Sequence, residues 1–359
     1  MDLKELLLKR RKHFEKTIES DGSDVESSSS GSSADDSEDE KRNYRPGGYC
    51  NVKIGSVFFN KYEIVSKLGR GHFATVWKCN DKKTNQAFAM KIQKARKEYR
   101  MSAMEEIIFH DHLRKIEDED KQYVNLMVYS NTYKGPFGHH SCMFLPLMKM
   151  DLMTRQEQEE NGIFSLEKTS SIAKQILRGL RFLHGNDVIH TDIKMDNILI
   201  SDDICQIADL GTACAVGDRT NDYIQTTHYR SPEIIMQYKS WDAKIDIWST
   251  ACVFFEMVTS VYLFDGDSES DMILSMVECL GVPPREFLQE CRGKHLYFNR
   301  DNKLRSRADL HPLPLDRLLV EEFNYSDSDA FAICRFLKPM LHFSPNVRAS
   351  ADELLKLYP

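Results

Sequence analysis

Between Tyr62 and Ile92 the chain carries three short runs, YEIVSKLG, FATVWKCN and QAFAMKI, each rich in β-branched and aromatic residues, with turn residues at Asp81–Asn85. That pattern predicts an antiparallel sheet. Residues 99–116 switch to a helical period, 141–148 (SCMFLPLM) is an apolar run, and most of the chain after 165 reads as helices joined by loops. Near the start, Leu3, Leu6, Leu7, Phe14 and Ile18 fall loosely on one side of a helix over 3–18. Such a face docks on a partner or on the body, or belongs to a terminal helix that frays. Ser20–Glu40 has almost no apolar residue and dense like charge, so it is expected to be disordered. No internal repeat appears. Strands first and helices later predict an α+β architecture: a tail over 1–43, a small antiparallel-sheet lobe over 44–148 and a larger helical lobe over 149–359. The helix order within 262–320, an insert of low motif content, is not legible.

Composition adds exclusions. Of 359 residues 41% are hydrophobic and 29% charged, as in a soluble chain with a sizeable core. The net charge of −7 is uneven: residues 19–40 hold nine acids, nine serines and no base, so the rest is nearly neutral. There is no global basic field for nucleic acid, and a monomer is expected. No apolar run approaches the ~18 residues of a membrane span, and the first basic cluster follows the leucines, the reverse of a signal peptide. Membrane insertion and secretion are therefore not expected. Lys9-Arg10-Arg11-Lys12 is either a nuclear import signal or solvated charge. Nine cysteines without C-x-x-C spacing indicate reduced thiols in cytoplasm or nucleus rather than zinc or disulfides.

The candidate chemistry begins at Gly69-Arg70-Gly71-His72-Phe73-Ala74-Thr75-Val76, a G-x-G-x-x-A-x-V between two predicted strands. Glycines there serve a hairpin turn or let backbone N–H groups approach phosphates. Fifteen residues after Val76, Lys91 sits in an apolar run, where a cation needs a partner; Glu106 or Glu105 on the next helix could supply it. Val188–Leu199 contains His190-Thr191-Asp192-Ile193-Lys194 and Asn197; Asp209-Leu210-Gly211 follows, then Ser231-Pro232-Glu233. In order and spacing these resemble the signatures of eukaryotic protein kinases, which implies a bilobal kinase fold. The resemblance assigns Asp192 to the attacking hydroxyl, Lys194 to the migrating phosphoryl group, Asn197 and Asp209 to Mg²⁺, and Lys91 with Glu106 to the α and β phosphates. Thr226 is available to bond Asp192, and Lys194 two residues after Asp192 is the serine/threonine-kinase pattern. Arg348 looks like the arginine that pairs with Glu233.

From Tyr44 onward the chain resembles one family, the serine/arginine-rich protein kinases. The match runs through Arg45-Pro46-Gly47-Gly48-Tyr49, Val52-Lys53-Ile54-Gly55, the glycine loop, Ile189–Lys194, Asp209-Leu210-Gly211, Ile224-Gln225-Thr226 and Tyr229-Arg230-Ser231. The resemblance implies ATP on Leu68, Gly69, Arg70, Gly71, His72, Phe73, Ala74, Thr75, Val76, Ala89, Lys91, Leu145, Leu147, Met148 and Leu199, with adenine near Leu145–Met148. It implies serines of arginine/serine-rich proteins as substrate, splicing regulation, and location in cytoplasm and nucleus. Asp271 and Glu278, seven residues apart, would share a helix face ~10 Å apart and each hold an arginine, unless that face is merely solvated. Thr191, where other kinases carry a phosphate-holding arginine, implies activity without activation-loop phosphorylation. Three departures stand out: Val261 and Glu322 replace an expected acid and an expected lysine, and only eleven residues separate Asn197 from Asp209, which leaves no room for the family's long spacer. The alternatives are a Cdc-like or dual-specificity tyrosine-regulated kinase, for which Tyr223 speaks, and a pseudokinase scaffold.

Overall fold

The structure, a computed structural model, describes residues 3–21, 44–218, 223–305 and 310–357, with backbone only over 13–21. Of the stretch 20–40 expected to be disordered, Ser20 and Asp21 end the first helix, and 22–40 lie outside the described residues, as does Thr220. The chain forms two compact units, the first comprising Met1–Glu117, Asn125–Met148 and Asp209–Gly211 and the second the remainder. The chain passes from one to the other at Met148 and Lys149, but 118–124 join the second and 209–211 the first.

In the first unit, α1 (Leu3–Asp21) precedes β1 (Val57–Phe58), β2 (Tyr62–Arg70), β3 (Ala74–Asp81) and β4 (Ala87–Gln93). Then come α2 (Lys97–Leu113), β5 (Tyr129–Gly135) and β6 (Gly138–Pro146). The strands form one antiparallel sheet in the order β1-β2-β3-β4-β6-β5. The β3–β4 turn forms because Asp81 accepts the Lys83 N–H at 2.8 Å and Asn85 takes a left-handed φ of 58°. Alternation buries Ile64, Trp77, Cys79, Phe88, Met90, Ile92 and Phe144 in one cluster. The other face of the same strands is left for Val76, Ala89, Lys91 and Leu145. α1 packs on α2, where Leu3 and Leu7 are buried and Arg11 pairs with Glu105.

The second unit starts with β7 (Met150–Asp151), α3 (Leu152–Gln156), α4 (Leu166–Gly185), β8 (Val188–Ile189), β9 (Ile198–Ser201), β10 (Ile204–Ile207) and β11 (Cys214–Ala215). These strands, of two to four residues, are too short to print a period on the sequence. They form the ladders β10-β9-β7 and β11-β8. Next come α5 (Pro232–Ile235), α6 (Lys244–Thr259), α7 (Glu269–Leu280), α8 (Arg285–Gln289), α9 (Lys294–Tyr297), α10 (Leu315–Glu321), α11 (Asp327–Leu337) and α12 (Ala351–Leu357). α4 starts at a Ser165 cap and buries Ile172, Ile176, Leu180 and Leu183 along one stripe. α6 is buried from Ile245 to Thr259 and is the post around which the unit packs. No described helix is long and apolar enough to cross a membrane. All nine cysteines are free, and burial pushes every thiol above its ordinary pKa, Cys334 to about 11 and Cys50 and Cys205 to about 12.

On α6, burial pushes the Glu256 carboxyl up to about 7, while the Tyr229 hydroxyl donates to it at 2.6 Å. Its folded pKa exceeds the ordinary 4.5, so the native state binds this proton more tightly. Stability from this group is full below pH 4.5 and is lost as pH rises through about 7, by at most ~3 kcal/mol. Glu256→Gln is expected to flatten the fall of the denaturation midpoint between pH 5 and about 7.5, measured in urea.

Candidate active site

In the first unit the Lys91 ammonium donates to Glu106 at 2.6 Å and to Asp209 at 2.7 Å. Burial alone would lower its pKa, but the two carboxylates outweigh that and hold it above the ordinary value, so it stays charged. Of the two open partners Glu106 is the one used: it is buried, and Gln93 also donates to it at 3.4 Å. A Cβ at Gly211 would come within 2.9 Å of the Asp209 carboxylate and 3.4 Å of the Lys91 ammonium, so a larger residue there would displace this ion pair. The half-exposed Asp209 carboxylate is a hard oxygen donor of the kind Mg²⁺ takes.

Register places Gly69 beside Val76, Val76 beside Lys91 and Ala89 beside Leu145, so these share one face. Gly69 has no neighbour within 4 Å of a Cβ and Gly71 only a carbonyl at 3.9 Å, so packing does not require either glycine. That leaves room for a phosphate to approach the backbone closely. Leu68, Arg70, Gly71, His72 and Phe73 are exposed; Gly69, Leu145, Leu147, Met148 and, in the second unit, Leu199 are half-buried; Ala74 is buried. The Thr75 side chain is fully buried and its hydroxyl accepts the Trp77 indole N–H at 3.0 Å, so only its backbone faces the glycine loop.

Sequence reasoning missed Tyr49. Its ring is buried with the Lys94 ammonium 4.4 Å and the Arg70 guanidinium 5.0 Å from its centroid, and its hydroxyl donates to the Gly71 carbonyl at 2.6 Å. Two residues earlier Gly47 has φ +79°, and a Cβ there would sit 2.7 Å from Arg96. Tyr49 therefore ties the R-P-G-G-Y run to the glycine loop. Tyr49→Phe is expected to raise KM for ATP about fivefold with little loss of kcat, the equivalent of ~1 kcal/mol for one hydrogen bond; steady-state kinetics at saturating peptide check it.

In the second unit one Asp192 oxygen accepts the Thr226 hydroxyl at 2.6 Å, and the other lies 3.0 Å from both Lys194 and the Asn197 amide nitrogen. Lys194 also donates to Thr226 at 3.2 Å. Because the Asn197 nitrogen is committed as a donor to Asp192, its amide oxygen is the atom suited to a hard cation. Among the described residues no cluster of three or more His, Cys, Asp or Glu could hold a metal alone. The loop is strained at Thr191, a β-branched residue at φ 67°. Asp246 of α6 holds it by accepting the N–H groups of His190 and Thr191, both at 2.8 Å.

A second residue that sequence reasoning left without a role is Gln225, buried at φ 67°. Its amide oxygen accepts the Ser231 N–H and hydroxyl at 3.0 Å each. Its amide nitrogen donates to Ile245 at 3.0 Å and Ser249 at 2.8 Å, and its carbonyl accepts from Arg230 at 2.8 Å. The expected Glu233–Arg348 pair is present, bidentate at 2.5 and 2.8 Å and fully buried. The docking candidates have local duties. Asp271 closes a capping box, accepting from Ser268 N–H at 3.0 Å and hydroxyl at 2.6 Å, and Glu278 accepts the His311 N–H at 2.8 Å. Both lie on α7, whose Glu269 also meets Arg230 at 3.5 Å and Tyr297 at 2.8 Å.

Residues 62–358 match the protein kinase domain. A serine/threonine-protein kinase SRPK of Physarum polycephalum is 32% identical over 89% of this chain and 91% of its own length. Dual specificity tyrosine-phosphorylation-regulated kinase 3 of Mus musculus is 32% identical over 70% of this chain, which spans only 43% of that protein. The kinase ppk5 of Schizosaccharomyces pombe is 29% identical over 84% of this chain and 36% of its own length. An ion-paired lysine beside a D-x-G aspartate, an H-T-D loop and this breadth of similarity make the chain a serine/threonine protein kinase that belongs to the SRPK family.

Proposed function

We propose that the kinase transfers the γ-phosphate of Mg-ATP to serines in arginine/serine-rich proteins and does so without phosphate on its own activation segment. The observation that carries the reading is Gln225: a neutral residue with four hydrogen bonds through its side-chain amide and a fifth through its carbonyl ties together the segment from Ile224 to Ser231, where other kinases use a charged phosphate. Thr191 supports it, since its hydroxyl donates to the Thr212 carbonyl at 2.8 Å and cannot grip a phosphate bidentately. In this reading Asp192 takes the proton of the attacking serine, and the Thr226 hydroxyl and Asn197 amide keep its carboxylate aimed. Lys194 neutralises charge on the moving phosphoryl group, and Lys91, oriented by Glu106, anchors the α and β phosphates. Mg²⁺, when bound, offsets the charge of the phosphate oxygens, with Asn197 and Asp209 as its protein donors. The acids of α7, Asp271 and Glu278, supply the charge that selects arginine, and the enzyme works in cytoplasm and nucleus as a monomer.

Phosphate incorporation into equal-length Arg-Ser and Lys-Ser repeat peptides at two salt concentrations tests the substrate. Strong preference for Arg-Ser, weakened by salt and by Asp271→Ala/Glu278→Ala, is expected; equal labelling of the two peptides refutes it. Single alanines at Thr220, Tyr223, Thr226 and Thr227 test the activation segment, with Thr226 read against its bond to Asp192. Lost activity at a position found phosphorylated in the purified wild type refutes phosphate independence. Tyr223, 69% exposed and stacked 4.2 Å from Arg230, is the residue whose autophosphorylation would move the dual-specificity alternative ahead.

A further inference from the structure

α2 carries Glu106, yet little in its own sequence fixes where the helix sits. Its N-cap, Arg96, makes no side-chain capping bond, so its position depends on what packs around it. α1 packs on it, with Leu3 and Leu7 only 3% and 1% exposed, values typical of the core. One turn beyond Leu7 on the same stripe, the Arg11 guanidinium donates to the Glu105 carboxylate, both side chains about three-quarters shielded from solvent. Glu105 and Glu106 are consecutive, so a rigid rotation or slide of α2 that takes Glu106 from Lys91 also takes Glu105 from Arg11. The two ion pairs register the same helix from two directions.

We propose that α1 is an intramolecular brace for α2 and that Arg11 is a positioning residue for the Lys91–Glu106 pair. The inference rests on the kinase roles given to Lys91 and Glu106 and is independent of the substrate class. It also gives the basic run at 9–12 two fates: Arg11 faces the body, while Lys9, Arg10 and Lys12 are exposed.

The test uses the full chain well below its unfolding temperature, with two rates measured in parallel, peptide phosphorylation and ATP hydrolysis without peptide. The second needs Lys91 and Glu106 but no arginine-rich substrate, so a wrong substrate assignment leaves it intact. Arg11→Glu is expected to lower kcat for ATP hydrolysis roughly tenfold, as a small misplacement of a positioning group does, with the thermal midpoint nearly unchanged. Adding Glu105→Arg restores most of the loss. Deletion of residues 1–12 gives the same loss, and a synthetic peptide of residues 1–21 reverses it in trans. Wild-type kcat in both Arg11→Glu and the deletion overturns the proposal. So does a double charge reversal no more active than Arg11→Glu alone, or a loss that follows the thermal midpoint in every variant.

Discussion

Asp192→Asn is expected to abolish nearly all phosphoryl transfer, with kcat falling about 10²–10⁴-fold, while KM for ATP and the thermal midpoint stay close to wild type. The carboxylate is half of a built arrangement: Thr226 donates to one oxygen, and Asn197 and Lys194 approach the other. Asparagine keeps the shape but cannot accept a proton, and its amide nitrogen turns a donor toward donors. Rapid-quench phosphate release and ADP titration calorimetry, run together, separate lost chemistry from lost binding. Weak binding of ADP, or a kcat within tenfold of wild type, would remove Asp192 from the role of base.

Arg348→Met is expected to cost the most stability, about 3–5 kcal/mol in urea unfolding, because it leaves Glu233 as an uncompensated buried carboxylate. Both side chains are wholly buried, and Arg348 also donates to the carbonyls of Lys244 at 2.8 Å and His342 at 3.0 Å and lies 5.0 Å from the Trp248 ring. Losing the guanidinium therefore strands several acceptors at once. Replacing both partners, Arg348→Met with Glu233→Leu, should recover a large part of the loss, since an apolar pair of similar volume carries no unpaired charge. If the double variant is less stable than Arg348→Met, the pair is not the source of the effect.

The proposed catalytic set was legible because its chemistry fixes residue types at short intervals along one chain: Asp192, Lys194 and Asn197 within six residues, and Asp209 soon after. The sheet was legible because alternation of Trp77, Cys79, Met90 and Ile92 is a strong period. What escaped was long-range or local in ways that composition does not carry. Tyr49 reads as one aromatic among many until its hydroxyl meets a carbonyl twenty-two positions on. Gln225 is unremarkable by type, and its importance lies in the five hydrogen bonds to four residues that the fold brings to it. Thr75 follows the motif but faces the core, since motif membership fixes backbone position and strand pleat fixes side-chain direction. Asp271 reads as free charge, whereas S-x-x-D at a helix start is also a cap, and the cap is formed. The leucines of α1 gave a face but no hint of what it covers.

The thiols carry a last consequence. Burial pushes all nine above their ordinary pKa, so the thiolate, the form that reacts with peroxide and electrophiles, is a minor species at every cysteine, and none is poised as a low-pKa redox sensor.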